Sequence, residues 1–275
     1  MTDKVMIMVA PNGARRTKDD HANLPITPDE VVRAVLAARD AGAAAAHVHA
    51  RDAAFKHTLE AGLYSEVLGA VEAAVNDTMV VQMTTEAVGI YSSAEQMEAV
   101  RALKPSFVSM AIRELVPDLN HENKAHEFFV WLQQARIVPQ FILYDPADLT
   151  HFIDLQSRGI VPFSNPFLLF VLGRYSEGQQ SSPQELAPFL EVLGKRQWPF
   201  MLCAFGSQEA ACMGAAFKAG GHGRVGFENN FYLPDGSRAN TNADLVSAAV
   251  NEAKAVGKTL MDGAEMRRFL EKCLV

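Results

Sequence analysis

The chain has 275 residues, of which 49% are hydrophobic, and its formal net charge is −7. This length buries a full core and suits one large α/β domain or two small ones. The acidic balance, without a block of lysines and arginines, argues against a nucleic-acid partner, and no apolar run reaches the ~18 residues that would predict a membrane span.

Eight short apolar segments predict β-strands, and helical patterns separate them. The first helix has a clear start, because Thr27 and Glu30 form a capping-box pattern with Pro28 at the first helical position. Further helix starts and ends are signalled by Ser93, Asp145, Ser182 and Ser207, and by Gly42, Gly159 and Gly220. The predicted strands are 5–10, 44–49, 79–84, 107–110, 138–144, 167–173, 200–205 and 222–227.

Eight strand–helix units of roughly 30 residues are typical of a (β/α)8 barrel, since neighbouring parallel strands need a crossover helix. The alternative is a doubly wound open sheet, but the first strand is followed by PNGARR (11–16) and not by a glycine-rich dinucleotide-binding turn. We therefore predict an α/β fold, a (β/α)8 TIM barrel, as a single domain over residues 1–275. The segment 262–275 predicts an additional C-terminal helix.

Polar side chains collect where the predicted strands end, which is where a barrel places its active site. Such residues follow or end the first, second, third, fourth, fifth and eighth predicted strands. They include Arg15, His47, His49, Arg51, Asp52, Thr84, Thr85, Glu86, Ser109, Arg113, Tyr144, Asp145, Arg224, Glu228, Asn229 and Asn230.

The stretch AAAHVHARD (44–52) places two histidines at i and i+2 on a predicted buried strand. Alternate residues of a strand share a face, so His47 and His49 point to one region. They are either core histidines bonded to the backbone or two ligands of a metal ion. The eighth strand of a barrel closes beside the first, which brings Glu228 within reach and favours a metal. Two histidines and one carboxylate leave coordination positions open, as in catalytic zinc sites and iron facial triads.

Four segments resemble the β-keto acid cleavage enzymes, a (β/α)8 family typified by 3-keto-5-aminohexanoate cleavage enzyme. They are NLPITPDE (23–30), AGAAAAHVHARD (41–52), MTTEAVG (83–89) and GGHGRVGFENNFY (220–232), with PFLLFVLG (166–173) as a weaker fifth. The segments span the chain in the family order, and the combination of NLPIT, HVHARD and GFENN is specific.

The resemblance implies one divalent metal ion, usually zinc, bound by His47, His49 and Glu228, and it implies that Arg224 binds the substrate. Substrate contacts are further implied for the hydroxyls at the ends of the third and fourth strands. These belong to Thr84, Thr85 and Ser109.

The family reaction takes a β-keto acid and acetyl-CoA and returns acetoacetate and a new acyl-CoA. The metal ion would act as a Lewis acid for the enolate, and Arg224 would clamp the substrate carboxylate. Family members are commonly homotetramers, so a small β-keto acid, acetyl-CoA and further copies of the chain are the expected partners.

The sequence departs from the family at the residue after the metal-binding glutamate, where Asn229 replaces an aspartate that is the proposed base. An amide cannot accept the substrate C2 proton at neutral pH. Glu86 stands where the family often has glycine, and one hypothesis makes Glu86 the replacement base. The alternatives are that Glu86 begins a helix and faces solvent, or pairs with Arg224 or Arg113.

The resemblance also points to the positions that hold the substrate tail, which are carboxylates in the type member and correspond here to Arg15 and Ile142. An arginine repels an ammonium tail, so we predict a tail that is anionic or apolar. The competing interpretations are that Arg15, Arg16 and Lys18 meet the phosphates of CoA, or that they form a solvated loop.

Two other functions remain open at this stage, namely a CoA-independent metal-dependent lyase or hydrolase and an inactive metal- and keto-acid-binding homologue. The three cysteines have no metal-binding spacing, which favours a reducing, cytoplasmic location. Five histidines belong to no motif and are expected in loops or at the surface. They are His21, His57, His121, His126 and His151.

Overall fold

The computed structural model describes residues 3–275. Eight parallel strands form a closed barrel in chain order, and the eighth strand pairs with the first. The predicted TIM barrel is confirmed, and the open-sheet alternative is wrong. The barrel strands are β1 (Ile7–Val9), β2 (Ala45–Val48), β3 (Val80–Thr84), β4 (Phe107–Ala111), β5 (Val138–Leu143), β6 (Phe167–Leu172), β7 (Phe200–Ala204) and β8 (His222–Val225).

Helices surround the barrel and bury their apolar faces against the outer sides of the strands. They are α1 (Pro28–Asp40), α2 (Ala61–Val75), α3 (Ser93–Leu103), the short α4 (Ile112–Leu115), α5 (Glu122–Gln134), α6 (Pro146–Ser157), α7 (Leu186–Leu193), α8 (Glu209–Lys218), α9 (Asn242–Ala255) and α10 (Gly263–Glu271).

The helix starts follow the capping chemistry of the sequence in most places. Helix α1 has the predicted capping box, in which the Thr27 side chain accepts from Glu30 N and the Glu30 side chain accepts from Thr27 N. The start predicted at Ser207 is wrong, because α8 begins at Glu209 behind Gln208, whose side chain makes no cap hydrogen bond.

The predicted first strand is split in two. Lys4–Val5 pairs in parallel with Thr259–Leu260 in a separate two-stranded sheet, and only Ile7–Val9 enters the barrel. A single apolar run therefore serves two sheets, which periodicity alone does not reveal.

The predicted C-terminal helix is present as α10, and it covers the amino-terminal end of the barrel. Its residues Met266 and Leu270 belong to the same apolar cluster as Met8 of β1 and as Met6, which lies just before that strand. This end is filled largely with apolar side chains, with the buried His222 packed against Phe269 of α10, and the polar groups that converge on one point lie at the opposite, carboxyl-terminal end. Within residues 3–275, no helix combines the length and the apolar character that crossing a lipid bilayer requires.

Candidate active site

The two histidines of β2 and the glutamate after β8 meet at the carboxyl end of the barrel. The Nε2 atoms of His47 and His49 lie 3.0 Å apart. Glu228 Oε2 lies 3.5 Å from His47 Nε2 and 3.4 Å from His49 Nε2. Three potential ligand atoms therefore converge from two strands that flank β1, as the barrel order requires.

The donor set fits a divalent cation. Both imidazoles are about 1% exposed, and among the described residues Glu228 Oε2 has no hydrogen-bond partner although it is buried. A buried carboxylate oxygen without a donor is costly unless a cation compensates it. Two imidazoles and one carboxylate are ligands that zinc accepts, with a position left for substrate.

The electrostatics keep the ligands in the forms that bind metal ions. Burial, and then the nearby Arg224 guanidinium, lower the pKa of His47 well below its usual range, so its ring is neutral at neutral pH. Burial by itself would raise the pKa of Glu228, but Arg224, with a guanidinium nitrogen 3.1 Å from Glu228 Oε1, and the imidazoles of His47 and His49 together outweigh burial and hold the pKa well below its usual range. The site thus offers neutral imidazole and ionised carboxylate.

The loop after β1 closes against this group of ligands. Gly13 has φ +61°, and a Cβ on it would lie 2.6 Å from Glu228 Cγ, so only glycine fits. Asn12 hydrogen-bonds both the carbonyl and the N–H of His49. The Arg51 guanidinium donates to the carbonyls of Gly13 and Arg16, so the arginine of HVHARD organises the loop.

Asn229 lies inside a buried hydrogen-bond network. Its Oδ1 accepts from the Cys203 thiol at 3.2 Å, and its Nδ2 donates to Glu209 Oε1 at 3.5 Å. Glu209 is 2% exposed, and burial raises its pKa to about 8. Cys203 Sγ also accepts from Arg224. The buried carboxyl group of Glu209 is therefore in direct contact with Asn229.

Glu86 lies beside the ligands and not on a helix. Its Oε2 is 4.0 Å from His49 Nε2, and its Oε1 is 3.4 Å from the guanidinium of Arg174. The expected alternatives for Glu86 are wrong, because its side chain is 16% exposed and its ion-pair partner is Arg174. Arg224 pairs with Glu228, and Arg113 pairs with two aspartates after β5, Asp145 and Asp148.

Two contiguous cavities lead to the ligands. The inner cavity is about 20 Å³ and is lined by polar groups, which include Thr84 and Arg224, and by the apolar Ile142 and Val171. The outer cavity is about 250 Å³ and includes Arg15 and Arg16. Glu86, Arg174, Phe205 and Glu228 line both cavities.

A family model for the beta-keto acid cleavage enzymes matches residues 4–271. The chain belongs to the β-keto acid cleavage enzyme family. Its activity is therefore in the acyl-transferring, carbon–carbon bond-cleaving class of enzymes.

Relatives in this family match the chain along nearly its whole length. The 3-keto-5-aminohexanoate cleavage enzyme of Acetoanaerobium sticklandii is 29% identical over 275 aligned positions, with 98% of each chain covered. The 3-dehydrocarnitine:acetyl-CoA trimethylamine transferase of Rhizobium meliloti is 26% identical over 302 aligned positions, with 98% of this chain and 97% of the relative covered. A ternary complex of ObcA with a C4-CoA adduct and oxalate superposes with a TM-score of 0.73 at 14% identity, covering 90% of this chain and 67% of ObcA, and this likeness concerns the fold.

The hydroxyls expected to bind substrate in this β-keto acid cleavage enzyme occupy different surroundings. Thr84 lines the inner cavity, and its Oγ1 accepts from Glu86 N. Ser109 Oγ is buried and has no partner among the described residues, but Ser109 is absent from the linings of both cavities. Thr85 Oγ1 instead donates to the Ser109 carbonyl and is absent from the linings of both cavities.

Several site residues were missed by the sequence interpretation. Arg174 lies two residues after β6, so the strand-end rule could have found it. Gln82 is a polar residue in an apolar strand, and its Oε1 lies 2.7 Å from His47 Nδ1. His57 gave no signal; His57 and His21 lie in loops as expected, but both are buried and not at the surface. Burial lowers the pKa of His57 to about 3.

Proposed function

We propose that the chain is a metal-dependent enzyme that condenses a β-keto acid with acetyl-CoA to give acetoacetate and a new acyl-CoA. The observation that carries this proposal is the convergence of His47, His49 and Glu228 beside Arg224 at the carboxyl end of the barrel. A divalent cation bound there, with zinc the usual ion of the family, would supply Lewis-acid stabilisation of developing negative charge. The homotetramer expected from the resemblance stays a prediction.

Arg224 is the residue proposed to bind the substrate carboxylate. Its guanidinium is about 4% exposed at the side chain and lines the inner cavity. Its Nε is buried and has no hydrogen-bond partner among residues 3–275. A carboxylate in the inner cavity would satisfy that donor by a charge-assisted hydrogen bond. Thr84, which lines the inner cavity, offers a hydroxyl for a further substrate oxygen, and Ser109 has a buried, unpartnered hydroxyl outside that lining.

Glu86 is the proposed general base that removes the C2 proton. It lines both cavities, lies 4.0 Å from His49 Nε2 and is held by Arg174. Asn229 cannot serve, since its amide is engaged with Cys203 and Glu209 and has no basic site at neutral pH. Apart from the metal-binding Glu228, Glu86 is the one carboxylate in the linings of both cavities.

The pH–rate profile of Glu86→Gln tests this role, with Glu114→Gln as the matched control. Glu114 is a nearby carboxyl group whose Oε2 accepts from Ala87 N, and it lines neither cavity. We expect kcat to fall about 10²–10⁴-fold in Glu86→Gln across the pH range and to change little in the control. An unchanged kcat in Glu86→Gln would end the proposal for Glu86.

The substrate tail is proposed to be anionic or apolar. Three arginines, namely Arg15, Arg16 and Arg174, line the outer cavity, against two carboxylates besides the metal-binding one. The inner wall contributes Ile142 and Val171. With acetyl-CoA present, a dicarboxylic or alkyl β-keto acid should therefore exceed an ammonium-bearing one in kcat/KM by at least about tenfold. A preference for the ammonium substrate would contradict this assignment.

Acetyl-CoA is proposed to bind in a groove beside the outer cavity. The groove is about 590 Å³, shares Arg15 with the outer cavity, and is lined by the basic residues Lys18, Arg51 and Lys56 together with the exposed apolar Phe55. Basic side chains suit the phosphates of CoA, and the apolar surface suits its pantetheine arm. Arg15 thus borders both sites.

The Asn229 substitution keeps one other function open, which is cleavage of the keto acid without CoA. Product formation measured with and without acetyl-CoA separates the two. Acetoacetate that appears only with acetyl-CoA supports the transferase, and turnover without acetyl-CoA supports the lyase or hydrolase.

A further inference from the structure

His57 packs against one of the proposed metal ligands; it lines neither the inner nor the outer cavity but borders the groove proposed for acetyl-CoA. It follows β2 in a loop, is 5% exposed, and packs against the His49 ring with a centroid distance of 5.0 Å. Its Nδ1 lies 3.4 Å from His49 Nδ1. The His57 ring therefore contacts the far side of the His49 imidazole and does not itself join the three atoms that would bind the metal ion.

The position of the proton on His57 follows from its contacts. His57 Nε2 lies 2.9 Å from the carbonyl oxygen of Glu86, which only accepts hydrogen bonds, so the proton is on Nε2. A buried ring is neutral and carries one proton, so Nδ1 presents a lone pair. That lone pair faces His49 Nδ1, which must then be the donor.

The tautomer of His49 is thereby determined. With its proton on Nδ1, His49 presents a bare Nε2 toward His47 and Glu228, at 3.0 Å and 3.4 Å. The other tautomer would direct an N–H into the position that a cation would occupy. A ligand imidazole generally needs such a partner on its second nitrogen to fix its tautomer and orientation.

His47 has an analogous partner in Gln82. The Gln82 amide donates from Nε2 to Gln140 Oε1 at 3.0 Å, which leaves Gln82 Oε1 to accept from His47 Nδ1 at 2.7 Å. Each ligand imidazole therefore has one acceptor behind it, an amide oxygen in one case and an imidazole nitrogen in the other.

We propose that His57 is a positioning residue that holds His49 in its metal-binding tautomer and orients its ring. The contact of His57 Nε2 with the Glu86 carbonyl also ties the metal ligand to the backbone of the proposed base. This role goes beyond the ligand set and rests on the proposed metal site.

Two substitutions at position 57 separate the hydrogen bond from simple packing. His57→Asn keeps an acceptor oxygen near the place of Nδ1, whereas His57→Leu fills the space without one. His21→Leu is the matched control, since His21 is another buried loop histidine and bonds the Ala239 carbonyl. Zn²⁺ affinity is measured by chelator competition, and the ligand field by the absorption spectrum of the Co²⁺ form.

We expect His57→Leu to weaken Zn²⁺ binding about 10–100-fold and to alter the Co²⁺ spectrum, while His57→Asn and His21→Leu stay within about threefold of the unaltered protein. Thermal unfolding without metal checks that all variants fold. Native affinity in His57→Leu, or equal losses in His57→Leu and His57→Asn, would overturn the positioning role. Failure of the unaltered protein to bind Zn²⁺ would instead overturn the metal site.

Discussion

Replacing Gly13 by alanine is expected to damage the metal site while leaving the barrel folded. The added Cβ would lie 2.6 Å from Glu228 Cγ, about 0.9 Å inside the ~3.5 Å at which carbon atoms pack. The loop is poorly able to retreat, because Arg51 bonds the Gly13 carbonyl. Glu228 must therefore shift. A shift of this size exceeds the tolerance of about 0.2 Å on the distance between a metal ion and its ligand atom.

Gly13→Ala is expected to have two separable effects, one on the stability of the fold and one on the affinity for Zn²⁺. Gly13 has φ +61°, so an alanine there costs roughly 1–2 kcal/mol of stability through backbone strain alone. Displacing one of three protein ligands should weaken Zn²⁺ binding by about 10–100-fold in addition. Gly159→Ala is the matched control, because Gly159 has φ +75° and nothing within 4 Å of the added Cβ.

The assay pairs thermal or chemical unfolding of the metal-free protein with chelator competition for Zn²⁺. Both variants should lose similar stability, and only Gly13→Ala should lose metal affinity and activity. Equal Zn²⁺ affinity in the two variants would show that Glu228 is not held at the metal by this contact, which would refute the reasoning.

Three other changes probe groups around the site. Burial lowers the pKa of His222 to about 4, so the folded protein takes up this proton at a lower pH than the unfolded chain does, and this group should lower the stability by on the order of 3 kcal/mol between pH 6.5 and 4. His222→Asn should remove that share of the loss in urea titrations, while the buried His47 and His57 keep theirs. Asn229→Asp sets the carboxyl of residue 229 about 3.5 Å from that of Glu209, and the two repel by about 5 kcal/mol when both are ionised. The free energy of unfolding of this variant should therefore keep falling above about pH 8, and adding Glu209→Gln should restore the slope of the unaltered protein in that range. Tyr64→Phe leaves the buried Val48 carbonyl without its 2.7 Å hydrogen bond and should cost about 1–3 kcal/mol in denaturant unfolding, whereas an unchanged midpoint would show that the carbonyl finds another donor.

The fold was predictable because its signals are local and repeated. Each strand is an apolar run, each helix has a polar face, and the capping residues of α1 and α6 mark their own starts. Eight such units leave little choice of topology, since parallel strands need crossover helices. The split of the first strand was not predictable, because one apolar run reads alike whether it serves one sheet or two.

By itself, the sequence determined the barrel, the end of the barrel that carries the polar groups, and the convergence of His47, His49 and Glu228 there. Spacing along a strand decides which side chains share a face, and the order of strands in the barrel decides which strand ends are neighbours. Only the tertiary structure decided the partners of those groups. Arg174 reaches Glu86 across 88 positions, and Glu209 reaches Asn229 from the first position of helix α8. His57 comes to lie behind His49 through the path of a loop. Such contacts depend on loop conformation and side-chain packing, which no periodic pattern encodes.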